Sequence, residues 1–357
     1  MSTQTTTTTT TASKRNPADS MVSTWRHDKS QWGVWHWMIE LLGLHLVNSD
    51  EEVPIFSKTD AVPATREWTV HLWILLHAAI PLVLHQAYVM YTGHNLHVIA
   101  AFALYTTAFK LNGVHEINIM RRLGQVHGFF DGDKHPRDGI PDIAVGKVAR
   151  ELISTSTFRM TMAMFLAYNK AETPASLHWR WLPLEIGLYS ITVDFWFYWY
   201  HRLMHQVGPL WQYHRRHHLT KHPNPLLSAY ADHEQEFMDI AGIPFLAYTT
   251  LRLMGLPMGF YEWWIGYQYI AFSEIFGHSG LRLHGGAPST FTWLLEYFDA
   301  ELVVEDHDLH HRYGWRKSHN YGKQTRLWDR VFGTCHDRIE SVKGNIDYEN
   351  KVTLPLL

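Results

Sequence analysis

Cysteine is almost missing from the 357-residue chain, in which Cys335 is the single thiol. One thiol cannot form an intrachain disulfide or a cysteine-based zinc module, so imidazole and carboxylate groups are the ligands left for a metal ion. A lone cysteine also fits an active site that faces the reducing cytosol. Charge is scarce as well, because 18% of the residues are charged, against about 25% in a typical soluble domain.

The chain also lacks a basic excess. Its formal net charge is −3 with histidine counted as neutral. Proteins that bind nucleic acid concentrate positive charge on one surface. We therefore expect no nucleic-acid partner.

One long stretch lacks charge altogether. From Trp68 to Phe109 there is no Asp, Glu, Lys or Arg. A helix needs about 20 apolar residues to cross a bilayer, so this stretch has room for two spans. The turn-forming residues 92–95 divide it. We predict helices near 68–91 and 96–111 that form a transmembrane hairpin.

Four further apolar segments are candidate spans, although each contains charged residues that are costly in lipid unless they face protein or an interface. They cover residues 152–168, 181–200, 240–257 and 261–277. Residues 110–180 carry ten Lys or Arg side chains, so the positive-inside tendency puts that segment in the cytosol. The aromatic pair Trp263 and Trp264 is expected in an interfacial belt rather than along a cavity.

Histidine, in contrast, is abundant, with 26 residues. Nine of them fall in four short clusters: HRLMH (His201, His205), HRRHH (His214, His217, His218), GHSG (His278) and HDLHH (His307, His310, His311). Residues three or four apart share one face of a helix, so each multi-histidine cluster can present several imidazoles to one point. The adjacent pair in HRRHH can divide between two metal ions. The spacing predicts a site for more than one metal ion.

Two other residues stand near these clusters. His233, in SAYADHEQE beside Glu234 and Glu236, is a further candidate ligand, with a purely structural role left open. Asp194 lies two helical turns before His201. It either orients a ligand imidazole from behind or is a buried carboxylate paired with a tyrosine or an arginine.

The order of these motifs carries a family resemblance. HRLMH, HRRHH, SAYADHEQE, GHSG and HDLHH are followed by NYG and LWDRVFGT. Over roughly 181–335 this order resembles the fatty acid hydroxylase and sterol desaturase superfamily, which includes sterol C4-methyl oxidases and C5-desaturases. The resemblance implies a multi-pass endoplasmic reticulum enzyme whose cytosolic site holds two iron ions. It also implies O2 as oxidant and electrons from NAD(P)H through cytochrome b5.

Carried onto this sequence, the resemblance implies ten metal ligands. They are His201, His205, His214, His217, His218, His233, His278, His307, His310 and His311. Iron comes from the resemblance alone, because imidazole ligands also suit zinc and copper.

The expected fold class is an all-α integral membrane protein with paired transmembrane helical hairpins and a cytosolic histidine-box metal site. Five segments are expected: a disordered Thr-rich extension (1–20), an N-terminal cytosolic segment (21–67), a transmembrane hairpin with a cytosolic loop (68–180), the catalytic domain (181–335) and a C-terminal tail (336–357).

The expected function is hydroxylation or desaturation of an unactivated C–H bond in a sterol or another lipid. A terpenoid or polyketide intermediate of specialised metabolism is an alternative substrate. Two other classes stay open. A metal transporter would hold its ligands near the bilayer midplane, whereas these clusters flank the apolar segments. A zinc hydrolase would need a general base such as Glu234 or Asp308, but the histidines outnumber what one zinc ion uses.

Overall fold

A computed structural model describes residues 16–45 and 51–357 of the chain. Residues 1–15 of the predicted disordered extension lie outside this part. Over the described residues the helices are α1 Val34–Leu41, α2 Glu67–Thr92, α3 Val98–His127, α4 Val145–Ala167, α5 Leu182–Gln206, α6 Gly208–His214, α7 His233–Phe237, α8 Ile243–Leu253, α9 Phe260–Gly277, α10 Thr292–Tyr297, α11 Val304–Tyr313 and α12 Leu327–Val331. The described chain is therefore mostly helical, as predicted.

The uncharged stretch forms the predicted helical hairpin: α2 ends at Thr92, and the next residue, Gly93, lies in the left-handed region (φ 72°). The second helix is longer than the predicted 96–111, because its polar residues beyond Lys110 find partners inside the protein. Asn112, for example, donates to the Gln268 side chain at 2.8 Å. Among the described helices, α2 is the one that is long and apolar enough to cross a membrane. The paired transmembrane hairpins stay a prediction.

Helix α9 runs through the middle of the bundle and is buried on all sides. It packs against α2, α3, α4 and α5. Trp263 and Trp264 are both fully buried, so the expectation of an interfacial belt is wrong for this pair. Their indole N–H groups donate to the Tyr189 hydroxyl at 2.8 Å and to the Ala78 carbonyl at 3.0 Å. A buried indole needs such a partner, which the sequence does not reveal.

The expected C-terminal tail is part of the fold. Within the described residues, strand β1 (Val62–Thr65) pairs in parallel with strand β2 (Ile346–Val352), so the chain is not strictly all-α. Glu305, in the first turn of α11, accepts hydrogen bonds from the backbone N–H groups of residues 339, 340 and 341 at 2.7–3.0 Å. The C-terminal segment is thereby fastened to the helix that carries three of the clustered histidines.

The first described residues are also ordered. Pro17–Asp19 form a 3-10 turn, and Asp19 accepts from the Arg215 guanidinium at 3.0 Å. This ion pair joins the turn to the segment that follows His214, and the disordered extension stays a prediction.

Candidate metal centre

Five elements bring the clustered histidines together. His201 and His205 are one turn apart near the end of α5, as their spacing predicts. His214 ends α6, and His217 and His218 lie in a separate 3-10 turn rather than on one continuous helical stripe. His278 follows the last residue of α9, and the remaining three lie on α11. All nine side chains are buried.

The nine histidines form two adjoining groups, and in each group the nearest ring nitrogens lie within 4.8 Å of one another. The five-histidine group contains His201, His205, His214, His218 and His310, and the four-histidine group contains His217, His278, His307 and His311. The neighbours His217 and His218 belong to different groups, as do His310 and His311. The sequence of HRRHH suggested that its adjacent histidines divide between two metal ions. The structure places His217 and His218 in different groups, as that suggestion requires.

Hydrogen bonds to the outer nitrogens orient most of these rings. In the five-histidine group the Nδ1 atoms of His201, His205 and His310 bond to the carbonyl oxygens of Tyr321, Trp315 and His319 at 2.8, 2.6 and 2.6 Å. His214 Nδ1 bonds to Gln235 Oε1 at 2.8 Å. In the four-histidine group the corresponding bonds run from His278 to the Glu274 carbonyl at 2.7 Å and from His311 to the Thr220 carbonyl at 3.1 Å.

These bonds settle which nitrogen faces the centre. A carbonyl oxygen only accepts, so the bonded Nδ1 carries the hydrogen and Nε2 keeps a lone pair. The Nε2 atoms then meet inside each group: Nε2 of His201 lies 3.0 Å from Nε2 of His214 in the five-histidine group, and Nε2 of His307 lies 3.0 Å from Nε2 of His278 in the four-histidine group. The buried Nε2 atoms of His205 and His311 have no hydrogen-bond partner.

The electrostatics of the groups favour a bound cation over protons. Burial lowers the pKa of His214 to about 4 and that of His278 to about 3. Burial also holds the pKa of His201, His217 and His310 well below the usual range. The imidazoles are therefore neutral at physiological pH, and neutral imidazole nitrogens that converge can hold a metal ion. The donor set fits two metal ions.

Two buried carboxylates act on the centre through a loop. Asp194 accepts from the backbone N–H groups of Lys323 and Gln324 at 2.6 and 2.8 Å and from the Thr325 hydroxyl at 2.6 Å. Asp329 accepts from the backbone N–H groups of Tyr321 and Gly322 at 2.8 and 2.7 Å. Together they hold the turn whose Tyr321 carbonyl orients His201. Asp194 therefore takes neither role considered from the sequence, since its partners belong to this turn.

Glycine is required in that turn. A Cβ atom at Gly322 would lie 2.2 Å from the Thr325 carbonyl oxygen and 3.0 Å from Asp329 Oδ2. This close approach explains the NYG motif, whose role the sequence did not reveal. The anchoring role of Asp329 was also missed.

His233 lies outside both groups, which corrects its assignment to the ligand set of the centre. Its side chain is 81% exposed, and its Nδ1 lies 2.9 Å from Glu151 Oε1. The short α7 turns His233 to the surface and directs Gln235, two residues later, towards His214. The residue of SAYADHEQE that contacts the centre is therefore Gln235, through its side-chain amide, and not His233.

A cavity of about 210 Å³ opens beside the centre. Its wall is mainly apolar, with residues from α3, α4 and α9 such as Phe109, Leu152 and Ile275. At one end lie Arg159, Glu274 and Lys323. Glu274 is ion-paired with Arg159 at 3.3 Å and with Lys323 at 3.7 Å, and its carbonyl orients His278. The charged end of the cavity therefore borders the four-histidine group.

Comparison with known proteins agrees with this site. The pattern that defines the fatty acid hydroxylase family matches residues 186–334, which include all nine clustered histidines. The fatty acid hydroxylase vlmA of Lecanicillium sp is 43% identical over 317 residues, which are 85% of this chain and 87% of that protein. The chain belongs to the fatty acid hydroxylase family.

Other relatives are less similar and carry different names. Methylsterol monooxygenase 2-2 of Arabidopsis thaliana is 27% identical over 72% of this chain and 93% of its own length. The very-long-chain aldehyde decarbonylase GL1-8 of Oryza sativa subsp. indica is 27% identical over 69% of this chain and 88% of its own length. No solved structure matches the chain. The family is membrane-bound, and this member is an oxidoreductase of the lipid oxygenase type, so the transporter and hydrolase alternatives fall away.

Proposed function

We propose that this family member is a non-haem di-iron oxygenase that hydroxylates or desaturates an unactivated C–H bond of a hydrophobic substrate. The observation that carries the proposal is the convergence of nine buried imidazoles on two adjoining points. A single zinc ion uses four ligands, which is fewer than half of this set. Two metal ions account for the whole set.

The proposed ligands of one iron are the members of the five-histidine group, and those of the other are the members of the four-histidine group. With iron bound, the centre would supply reduction of O2 and abstraction of hydrogen from the substrate. Hydroxylation consumes one O2, two electrons and two protons, and yields an alcohol and water. Desaturation consumes the same reagents and yields an alkene and two waters.

The protein's own contribution is orientation and exclusion of water. The hydrogen bonds from Nδ1 of His201, His205 and His310 to backbone carbonyls fix each ring and keep its Nε2 free to ligate. Such contacts behind the ligands commonly change metal affinity or activity by about 10–100-fold. Burial keeps the imidazoles neutral, which is the protonation state that ligation requires.

The cavity beside the centre is the basis for the proposed substrate class. Its apolar wall suits a lipid, and the names of the relatives include fatty acid and methylsterol substrates. We propose a sterol or another lipid, with a terpenoid or polyketide intermediate as the alternative. Comparison of lipid and small-molecule profiles in cells with and without the protein would identify the molecule that accumulates when the enzyme is missing.

The proposed setting is the endoplasmic reticulum membrane, with the centre facing the cytosol and taking electrons from NAD(P)H through a cytochrome b5-type donor. Support comes from the apolar helix α2 and from a chain with a single cysteine. Reconstitution with cytochrome b5 and its reductase tests the donor. Turnover at the same rate without cytochrome b5 would argue against it.

Metal analysis of the purified protein tests the proposal most directly. We expect about two irons per chain, since the two histidine groups define two sites, and substrate oxidation that requires O2. A protein that carries zinc in place of iron, or that turns over without O2, would contradict the di-iron assignment.

A further inference from the structure

His233 lies in a second cluster of ligand-type side chains, which is distinct from the two histidine groups. The cluster joins two elements, because Glu151 lies on α4 whereas His233 and Glu236 lie on α7. One nitrogen or oxygen atom from each residue lies within 4.8 Å of the other two. Imidazole nitrogen and carboxylate oxygen together form a common ligand set for divalent transition metals.

The two carboxylates are buried, unlike those of an ordinary acidic surface patch. The side chains of Glu151 and Glu236 are 7% and 9% exposed. Glu236 Oε1 is buried and has no hydrogen-bond donor. A buried carboxylate oxygen without a donor carries a large desolvation cost, which either a proton or a cation must offset. Burial and the side-chain hydrogen bond with Glu151 raise the pKa of Glu236 well above its usual range.

The cation now nearest to this pair is the Lys147 ammonium. It lies 3.2 Å from Glu151 Oε1 but 3.8 Å from Glu236 Oε1. One ammonium thus bonds directly to one carboxylate of the two. Its side chain is 19% exposed and reaches solvent, so Lys147 is able to move outward and leave the carboxylates to another cation.

We propose that Glu151, His233 and Glu236 form a site for a divalent transition-metal cation that is separate from the two histidine groups. The exposed His233 supplies an open side for entry and for bound water. Glu151 supplies negative charge, and Glu236 adds a second charge when the cation displaces its proton. Because its ligands come from α4 and α7, the bound cation fastens these helices together.

The site has a mechanical link to the centre. Gln235 lies between the two α7 ligands in sequence, and its side chain orients His214. A cation that restrains α7 therefore also restrains the contact behind one ligand of the five-histidine group. This link makes α7 the element through which the second site acts on the first.

Zinc titration of the iron-loaded protein tests the proposal. We expect wild type to bind one equivalent of Zn²⁺ more than His233→Asn does, with at least about tenfold weaker binding at this site in the variant. Iron content should be equal in the two proteins, because His233 lies outside the histidine groups. His94→Asn, a change at another exposed histidine, is the matched control and should bind Zn²⁺ as wild type does.

Lys147→Met provides an outcome that misfolding cannot imitate. Removal of the competing ammonium should tighten Zn²⁺ binding several-fold, and this gain should disappear when Glu236→Gln is added. Hydrogen exchange gives an independent readout, since Zn²⁺ should slow exchange of the α7 amides in wild type but not in His233→Asn. Equal Zn²⁺ stoichiometry and affinity in wild type and His233→Asn would overturn the proposal, as would weaker binding in Lys147→Met. The comparison is between variants, so it holds whether or not the histidine groups contain iron.

Discussion

The two halves of the centre are built from the same side chain but are held in different ways. In the five-histidine group, the carbonyls of residues 315, 319 and 321 orient three rings, and the Gln235 side chain orients a fourth. In the four-histidine group, the His278 ring bonds to the carbonyl of Glu274, one turn earlier, and the His311 ring bonds to the Thr220 carbonyl. Nδ1 of His217 and Nδ1 of His307 have no hydrogen-bond partner.

The two groups differ in which part of the chain holds their rings in place. The five-histidine group depends on a loop at residues 315–325, which is itself held by Asp194 and Asp329. The four-histidine group depends mainly on the ends of α9 and α11. Changes behind the loop should therefore disturb one half of the centre and spare the other. Four predictions test this comparison, in order of decreasing effect.

The largest effect should follow loss of a ligand from either half. His310→Ala removes a ring from the five-histidine group, and His307→Ala removes one from the four-histidine group. We expect each change to lower turnover by about 10³-fold or more, since both ions serve one reaction, and to leave about one iron per chain. Metal analysis and product formation measure both effects. Full activity in either variant, or loss of both irons in each variant, would contradict the assignment of one iron to each histidine group.

Asp194→Asn should weaken the five-histidine group alone. The amide is isosteric but replaces one acceptor oxygen with a donor, which faces the N–H and O–H groups of residues 323–325. We expect iron affinity in that group to fall by about 10–100-fold. Asp142→Asn is a matched control, because Asp142 also accepts from two backbone N–H groups and a threonine hydroxyl. Equal iron loss from both groups in Asp194→Asn would contradict the comparison.

Acid should destabilise the metal-free protein through its buried histidines. His214 has a pKa of about 4 in the folded chain, against 6.5 ordinarily. The unfolded state therefore binds the extra proton between pH 6.5 and 4, so stability is complete above pH 6.5 and falls as the pH drops towards 4. The slope should be about 1.4 kcal/mol per pH unit for this residue. Denaturant unfolding of wild type and His214→Gln at several pH values measures it, and identical slopes would refute the assignment.

The smallest effect on stability and iron content should follow a change at an ion pair that lies outside the five-histidine group. Asp19→Asn weakens the ion pair with Arg215, which directly follows His214. The Arg215 side chain is 38% exposed, so we expect a stability loss below about 1 kcal/mol and unchanged iron content. Thermal unfolding and metal analysis check this result. A marked loss of iron would mean that the N-terminal turn supports the centre.

Several features of the fold and the site were predictable from the sequence because they depend on local geometry. The spacing of His201 and His205 puts both rings on one face of α5, and the spacing of His307 and His311 does the same on α11. The uncharged stretch predicted the hairpin of α2 and α3. In each case the evidence is a side-chain pattern within one element, which helix geometry converts directly into direction.

Other features had no sequence pattern to reveal them. The carbonyls of Trp315, His319 and Tyr321 are backbone groups, which every residue has, so nothing in the sequence distinguishes them as acceptors. His233 matched the composition expected of a ligand, but a two-residue difference within α7 turns Gln235, and not His233, towards the centre. The parallel pairing of β2 with β1 joins segments at opposite ends of the chain, and β2 has no apolar alternation that would predict it.

The sequence by itself determined which donors are available: a chain with one thiol and clustered histidines offers imidazole rather than thiolate to a metal ion, and the order of the clusters indicates the family. The tertiary structure decided how those histidines divide into groups of five and four, and that His233 lies apart from both. The physical reason is that spacing within a helix fixes only relative direction. The distance between rings on α5, α9 and α11 depends on how those helices pack.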